Sequence, residues 1–362
     1  MNPIPDAPSR RTARSRGRLA TVLACALLLS GCGVRFDAPP PTEPVPDPVE
    51  IVRRTAVDDA LHVAEQAEAV AALRKTRPKV AETLADIAGI SREHAAQLGG
   101  EYESGLESDP PSPTPTDLPG APPQAAAVLT TLTDAAARSA TAADVCEDGP
   151  LARLLASISA AQTLAVRDLA QVTGRKQPAY TAPVIPGTAG ESPETPGADD
   201  AETGESDTET AALTPSARPT TVPAGLAEED LLAVIVAEDS SAYAFEVRAA
   251  QADDESVRER LADRARTHRR RAETWARVAG VDGTGSDPRR AAYELPGQDV
   301  TSKDVVLAAE GRIAAGYASL VGRAETETRA VAVALLTDSA ITQRSWGAPT
   351  IPFPGLPERA TS

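Results

Sequence analysis

Apolar residues recur every three or four positions over eight stretches of the chain. That spacing predicts amphipathic helices at about 52–75, 80–102, 124–143, 151–172, 228–252, 256–279, 302–323 and 325–347. Val80, Leu84 and Ile87 make one stripe; Leu151, Leu155, Ile158, Ala165, Leu169 and Val172 make another. Helix punctuation agrees with the pattern. Pro78 separates the first two stretches, and Gly149-Pro150 opens the fourth, where proline is tolerated in a first turn. Thr301 or Ser302 can cap the seventh, and Gly280 lies just past the sixth, where a left-handed closing residue is often needed. Ala, Leu, Arg and Glu dominate these stretches, while β-branched and aromatic runs are short, so the expected fold class is all-α.

The helical stretches fall into two groups of four, each suited to a bundle. The expected divisions are 1–31 as a leader, 32–49 as a proline-rich tether, 50–174 as the first bundle, 175–225 as a linker, 226–348 as the second bundle and 349–362 as a tail. Eight acidic residues lie between Glu191 and Glu209 with no base before Arg218, and Pro, Thr and Gly fill most of the remainder. Such a segment buries too little apolar surface to offset its ordering entropy, which predicts a disordered acidic linker. A shorter break at 108–123 reads as a loop within the first bundle. In the second bundle the connection at 282–298 is longer than the other two, the topology of ferritin-like bundles.

The start of the chain concerns address. Arg10, Arg11, Arg14, Arg16 and Arg18 precede an apolar run from Leu19 to Leu29, the arrangement of an export signal. Leu29-Ser30-Gly31-Cys32 resembles the lipobox of bacterial lipoproteins. That resemblance implies cleavage before Cys32 and acylation of its thiol, giving a protein anchored on the extracytoplasmic face of the cell membrane, where several acyl chains hold stably. Cys25 would leave with the leader, so Cys146 is the one free thiol expected in the mature chain, read as a small buried apolar residue. The leader carries five Arg against Asp6, so its loss takes the formal charge from −16 to about −20. This acidity disfavours nucleic acid and anionic lipid surfaces as partners.

The candidate chemistry lies on the inward stripes of the second bundle. Leu231, Ile235, Glu238, Ala242, Phe245 and Ala249 share a face of its first helix, and Leu261, Ala265, His268, Ala272 and Trp275 one of its second. The third gives Val306, Glu310, Ile313, Tyr317 and Leu320; the fourth gives Val331, Leu335, Asp338 and Ile341. Three carboxylates and one histidine therefore point at a common core, where ionisable groups are rarely buried unpaired. Tyr243 and Tyr317 read as packing residues, and the run Arg264, Arg266, Arg269, Arg270 and Arg271 as a solvated face paired with acids such as Asp263 and Glu273.

Over about 226–358 the chain resembles the ferritin-like superfamily, and more narrowly a ferritin-like domain of unknown function from actinobacterial envelope proteins. The resemblance rests on Ala237-Glu238 with Tyr243, His268-Arg269-Arg270-Arg271, Glu310 with Tyr317, Asp338 before Trp346, and the ending Phe353-Pro-Gly-Leu-Pro-Glu358. Dimetal members take one Glu from each of the first and third helices and Glu-x-x-His from each of the others. Glu238 and Glu310 match the lone Glu positions. The second helix reads Ala265-x-x-His268 and the fourth Asp338-x-x-Ile341, so two of six ligands are missing. Three readings stay open: a buried hydrogen-bonded network that includes an arginine such as Arg264 or Arg271, a single Fe, Mn or Zn ion held by Glu238, His268, Glu310 and Asp338, and residual oxidase activity at that site.

In the first bundle Glu65 or Glu68 and His94 occupy loosely similar places, as in a diverged copy of the second, while its third helix offers only Asp134, off the best stripe; His62 and His94 read as interhelical hydrogen-bonders or surface residues. There is no phosphate loop, nucleophile motif or zinc spacing. The expected role is non-enzymatic, with no resident cofactor: binding or scaffolding in the cell envelope, with an envelope protein or a second copy as partner.

Overall fold

Among the described residues, four of the eight α-helices begin where a side chain supplies the missing acceptor for a first-turn N–H. In the computed structural model, which describes residues 43–104, 124–186, 221–295, 297 and 299–359, α1 spans Pro48–Ala71, α2 Pro78–Gln97, α3 Ala125–Val145 and α4 Gly149–Thr173. The second set is α5 at Glu228–Gln251, α6 at Glu255–Val278, α7 at Ser302–Arg323 and α8 at Ala330–Ser345. Asp47 caps α1 from Glu50 N at 2.7 Å, Asp148 caps α4 from Leu151 N at 2.7 Å, Asp254 caps α6 from Val257 N at 3.1 Å and Thr301 caps α7 from Asp304 N at 3.1 Å.

Four boundaries differ from the periodicity by four residues or more: α1 ends four residues early at Ala71 and α2 five early at Gln97, just before Gly99 and Gly100 take left-handed φ, and two helix starts are displaced. Helix α1 starts four residues early, because Asp47 and the first-turn Pro48 form a ready N-terminus that the apolar spacing alone does not mark. Helix α8 starts five residues late. The backbone donors of 325–329 are used by other parts of the chain: Glu325 N donates to Ala224 O at 2.9 Å, Glu327 N to Asp144 O at 2.9 Å and Arg329 N to Asp144 Oδ1 at 2.7 Å.

The fold is all-helical, with α1–α4 in one bundle and α5–α8 in another. Both use the same pairing: first with second, third with fourth, and first with third. The bundles share one core, for α4 packs against both α7 and α8, and α3 against α8. Helix α4 is buried on nearly every side, and Ala152, Ala156, Ala160, Ala161 and Ala170 keep its girth small enough for that. At its N-terminus Gly149 meets the backbone of Gly322, and a Cβ there would run into the Gly322 carbonyl oxygen. Arg329, also buried, donates to the carbonyls of Ala324 at 2.8 Å and Cys146 at 2.5 Å. Cys146 itself is buried, and that burial pushes its thiol pKa up.

The tail does not end at α8. Phe353 and Leu356 are buried, and Gly355, at φ 79°, comes so close to α7 and α8 that a Cβ would lie 2.6 Å from Leu336 Cδ1 and 2.8 Å from Ala314 O. Ser157 on α4 donates to Pro354 O at 2.7 Å, His94 on α2 bonds Pro352 O at 2.8 Å, and Arg153 pairs with Glu358 at 2.6 Å. Residues 351–359 thus bind the second bundle to the first.

Residues 175–186 also depart from expectation. The composition assigns them to the disordered linker, but Ile185 is buried in the shared core and Tyr180 reaches α8. Their local sequence, Tyr180-Thr-Ala-Pro-Val-Ile185, is more apolar than the acidic stretch after it. The remainder of the expected linker up to 220, the loop at 108–123, the leader and Cys32 lie outside the described residues.

Candidate functional site

Helical spacing on α6 explains how the second bundle brings its charged side chains together. Arg264, His268, Arg271 and Trp275 follow one another at intervals of four, three and four residues, so all four project from one face. Opposite them stand Glu238 from α5, Glu310 and Tyr317 from α7, and Asp338 from α8. Glu238, His268, Glu310 and Tyr317 are 0% exposed, Asp338 3% and Arg271 4%.

Arg264 is the hub. Its Nε and Nη2 donate to the two oxygens of Glu310 at 2.5 and 2.8 Å, and Nη1 donates to Asp338 Oδ2 at 2.6 Å. This two-pronged contact with a carboxylate is the geometry that a guanidinium, unlike an ammonium, supplies. Arg271 Nη2 lies 2.7 Å from the same Asp338 oxygen, and the Tyr180 hydroxyl donates to Asp338 Oδ1. His268 contacts Glu238 through Nδ1 and Glu310 Oε1 through Nε2 at 3.1 Å. Tyr317 donates to the other Glu238 oxygen and accepts from Trp275 Nε1 at 3.1 Å. The Phe245 ring meets the imidazole edge-on, its centroid 5.4 Å away.

Protonation follows from this arrangement. Burial alone would raise the pKa of Glu310, but Arg264 and His268 hold it down at about 2. Asp338 is likewise held well below the carboxylate range, its burial outweighed by Arg271 and Arg264. Burial and the Arg264 charge push His268 down, and Glu238 and Glu310 more than offset them, so its pKa is raised. Both ring nitrogens face carboxylate oxygens, which accept only, so the fitting species is the imidazolium donating from each. Two guanidiniums and one imidazolium then balance three carboxylates. Burial and Glu238 raise the Tyr317 hydroxyl well above its ordinary pKa, keeping it a neutral donor.

This donor set does not fit a metal ion as it stands. The Arg264 guanidinium fills the space between Glu310 and Asp338, and both imidazole nitrogens already serve carboxylates. Among the described residues no three His, Cys, Asp or Glu side chains are placed to hold one. The four residues chosen from the apolar stripes do meet, with arginine between them.

The arginine run on α6 is not one solvated face. Arg266 pairs with Asp263 and Arg270 bonds Thr267 near solvent, whereas Arg264 and Arg271 turn inward. Arg269 reaches Asp239, which is 1% exposed and outside the predicted site. Asp239 also accepts from the Tyr293 hydroxyl at 2.7 Å and from Arg290 N at 3.2 Å, fixing the long α6–α7 connection to α5. Burial and Asp239 push the Tyr293 pKa up to about 12. Tyr243 packs beside Tyr293, the ring centroids 6.0 Å apart.

Tyr180 was the residue least visible in sequence. The available signal was its isolation: no other aromatic residue occurs between Tyr102 and Tyr243. In the first bundle the loosely analogous residues do not converge. Glu65, Glu68 and Asp134 are exposed, Glu68 pairing with Arg92, and His62 bonds Gln66 at 2.9 Å on its own helix. His94 is buried, with Nε2 on the Pro352 carbonyl and Nδ1 without a partner.

Residues 231–358 match the family model described as Domain of unknown function (DUF4439). The match covers about a third of the chain, from the first turn of α5 to Glu358 in the tail, and so includes every residue of the charge network except Tyr180. No curated protein and no solved structure matches the chain.

Proposed function

We propose that this chain is a lipid-anchored protein of the cell envelope whose degenerate ferritin-like bundle is a non-enzymatic body for binding or scaffolding. The observation that carries the reading is the Arg264 guanidinium between Glu310 and Asp338. In the dimetal relatives that the second bundle resembles, the corresponding carboxylates serve a metal; here a fixed side-chain cation takes that place. In a neutral network whose carboxylate and imidazole groups are buried and already bonded to one another or to arginine, no ligand is left free for the open coordination position that metal-assisted chemistry needs. The address rests on Leu29-Ser30-Gly31-Cys32 and the proline-rich tether after it, which would lift the bundles off the membrane. Partners would be an envelope protein or a second copy of the chain.

Elemental analysis of the chain from residue 33 onward, after anaerobic incubation with Fe(II) and Mn(II), tests the first part. Metal-free protein is the expected result; near-stoichiometric Fe, Mn or Zn that is lost in a folded Glu238→Ala/His268→Ala variant would contradict it. Detergent phase partitioning tests the address: the full-length protein should enter the detergent phase and its Cys32→Ser variant the aqueous phase.

A further inference from the structure

Helix α7 carries two glycines, Gly311 and Gly316, that neither backbone conformation nor close packing explains, and of the two Gly316 lines a cleft. Gly316 lies mid-helix, where glycine costs about 1 kcal/mol relative to alanine. It has no left-handed φ, and a Cβ built on it would touch only Val234 Cγ2, at 3.7 Å, an ordinary contact. By contrast, Gly149, Gly225 and Gly355 all press on neighbouring atoms. What the missing side chain does is leave open a cleft of about 280 Å³ between α5 and α7.

The cleft has an apolar wall and a charged mouth. Val234, Ile313 and Leu320 line it, with Ala233 and Ala237 beside them. Its two acids are already matched: Asp230 pairs with Arg323, and Glu238 is held by His268 and Tyr317. Arg312, one turn before Gly316 on the same face, lines the cleft, is exposed, and has neither a hydrogen bond nor an ion pair among the described residues. The balance is one uncompensated positive charge over an apolar slot. A dry cavity of about 150 Å³ takes benzene, so this volume suits a molecule roughly twice that size.

We infer that the α5–α7 cleft binds a small amphipathic carboxylate, with its hydrocarbon portion over Gly316 and its carboxylate on the Arg312 guanidinium. A single negative charge fits better than two, because Asp230 and Glu238 stand on the same walls. The inference is independent of the lipid anchor and of the metal question, since it uses neither Cys32 nor the oxygen atoms bound by Arg264.

The test is a titration with octanoate, about ten non-hydrogen atoms and so within the size range of the cleft, followed by amide chemical shifts of the chain from residue 33 onward. Saturable shifts confined to α5 and α7 are expected. Arg312→Ala should weaken binding about tenfold or more, octan-1-ol should bind parent protein more weakly than octanoate by a similar factor, and Gly316→Leu, which fills the slot, should abolish binding. Absence of saturable shifts in the parent, equal binding by Arg312→Ala, or octan-1-ol binding as well as octanoate would each overturn the proposal. Should Gly316→Leu fail to fold, Arg312→Ala still decides, because Arg312 is exposed and unpaired.

Discussion

The two bundles pair their helices in the same order, yet the second sets a network of charged side chains into its apolar interior where the first keeps apolar and neutral polar groups. Inside the first are Val63, Leu84, Leu132 and Leu169, with Ser91, Ser139, Ser159 and one neutral histidine among the polar exceptions. At the corresponding depth the second holds three carboxylates, two guanidiniums and an imidazolium. Helix-bundle topology therefore does not dictate what occupies its axis. An apolar interior tolerates loss of a group as a cavity, whereas a closed charge network leaves its remaining members uncompensated.

The sharpest way to break this contrast is Arg264→Ala. It leaves Glu310 and Asp338 buried with reduced compensation and should destabilise the protein by about 3–5 kcal/mol in urea unfolding. Arg264→Lys should recover only part of the loss, since an ammonium cannot reproduce the two-pronged contact. A result below about 1 kcal/mol for Arg264→Ala would mean that water reaches the network.

The two buried histidines sharpen the comparison through pH. Burial pushes His94 down to about 4 against the bonding of its ring to Pro352, so between pH 6.5 and 4 the unfolded chain binds a proton that the folded chain refuses. Stability should fall across that window by about 3 kcal/mol, and His94→Leu should flatten the fall. His268 has the opposite sign. Its pKa is raised, so its contribution is fully present below pH 6.5 and is lost as pH rises through its folded pKa. His268→Gln should remove that alkaline limb while leaving the acid one, as judged by urea midpoints from pH 4 to pH 9.

Whether the bundles unfold together depends on the α4–α7 crossing. Gly149→Ala drives a Cβ into the Gly322 backbone and should cost about 1–3 kcal/mol and give a broader or split urea transition than the parent protein. The smallest expected effect is that of Tyr180→Phe, which removes one donor to Asp338 and should cost about 1–2 kcal/mol. It should also raise hydrogen exchange at 175–186 without altering that of α1–α3.

The sequence carries much of this because helices write themselves in spacing. The eight stretches and the inward faces of Glu238, His268, Glu310 and Asp338 follow from a 3.6-residue period. What spacing does not carry is identity of partners. Arg264 and Arg271 lie beside the apolar stripe, one position from Ala265 and Ala272, so periodicity alone leaves them at the margin between core and solvent. Tyr180 lies in non-helical backbone, which has no period to read. Docking of the bundles depends on alanines along α4, and alanine, small and apolar, occurs on buried and on exposed helix faces alike, so it does not mark which face is covered. The late start of α8 depends on bonds to residues 144 and 224, far away in the chain.

With a carboxylate oxygen on each ring nitrogen, the charge network requires His268 to be doubly protonated, with no metal on either nitrogen. The chain has only three histidines, and His62 is exposed, so ¹⁵N-histidine labelling gives a readable spectrum. At pH 7 one set of ring nitrogens should report a solvent-accessible histidine, one a neutral ring for His94, and one an imidazolium protonated at both positions for His268. A neutral or metal-coordinated His268 under those conditions would contradict the account.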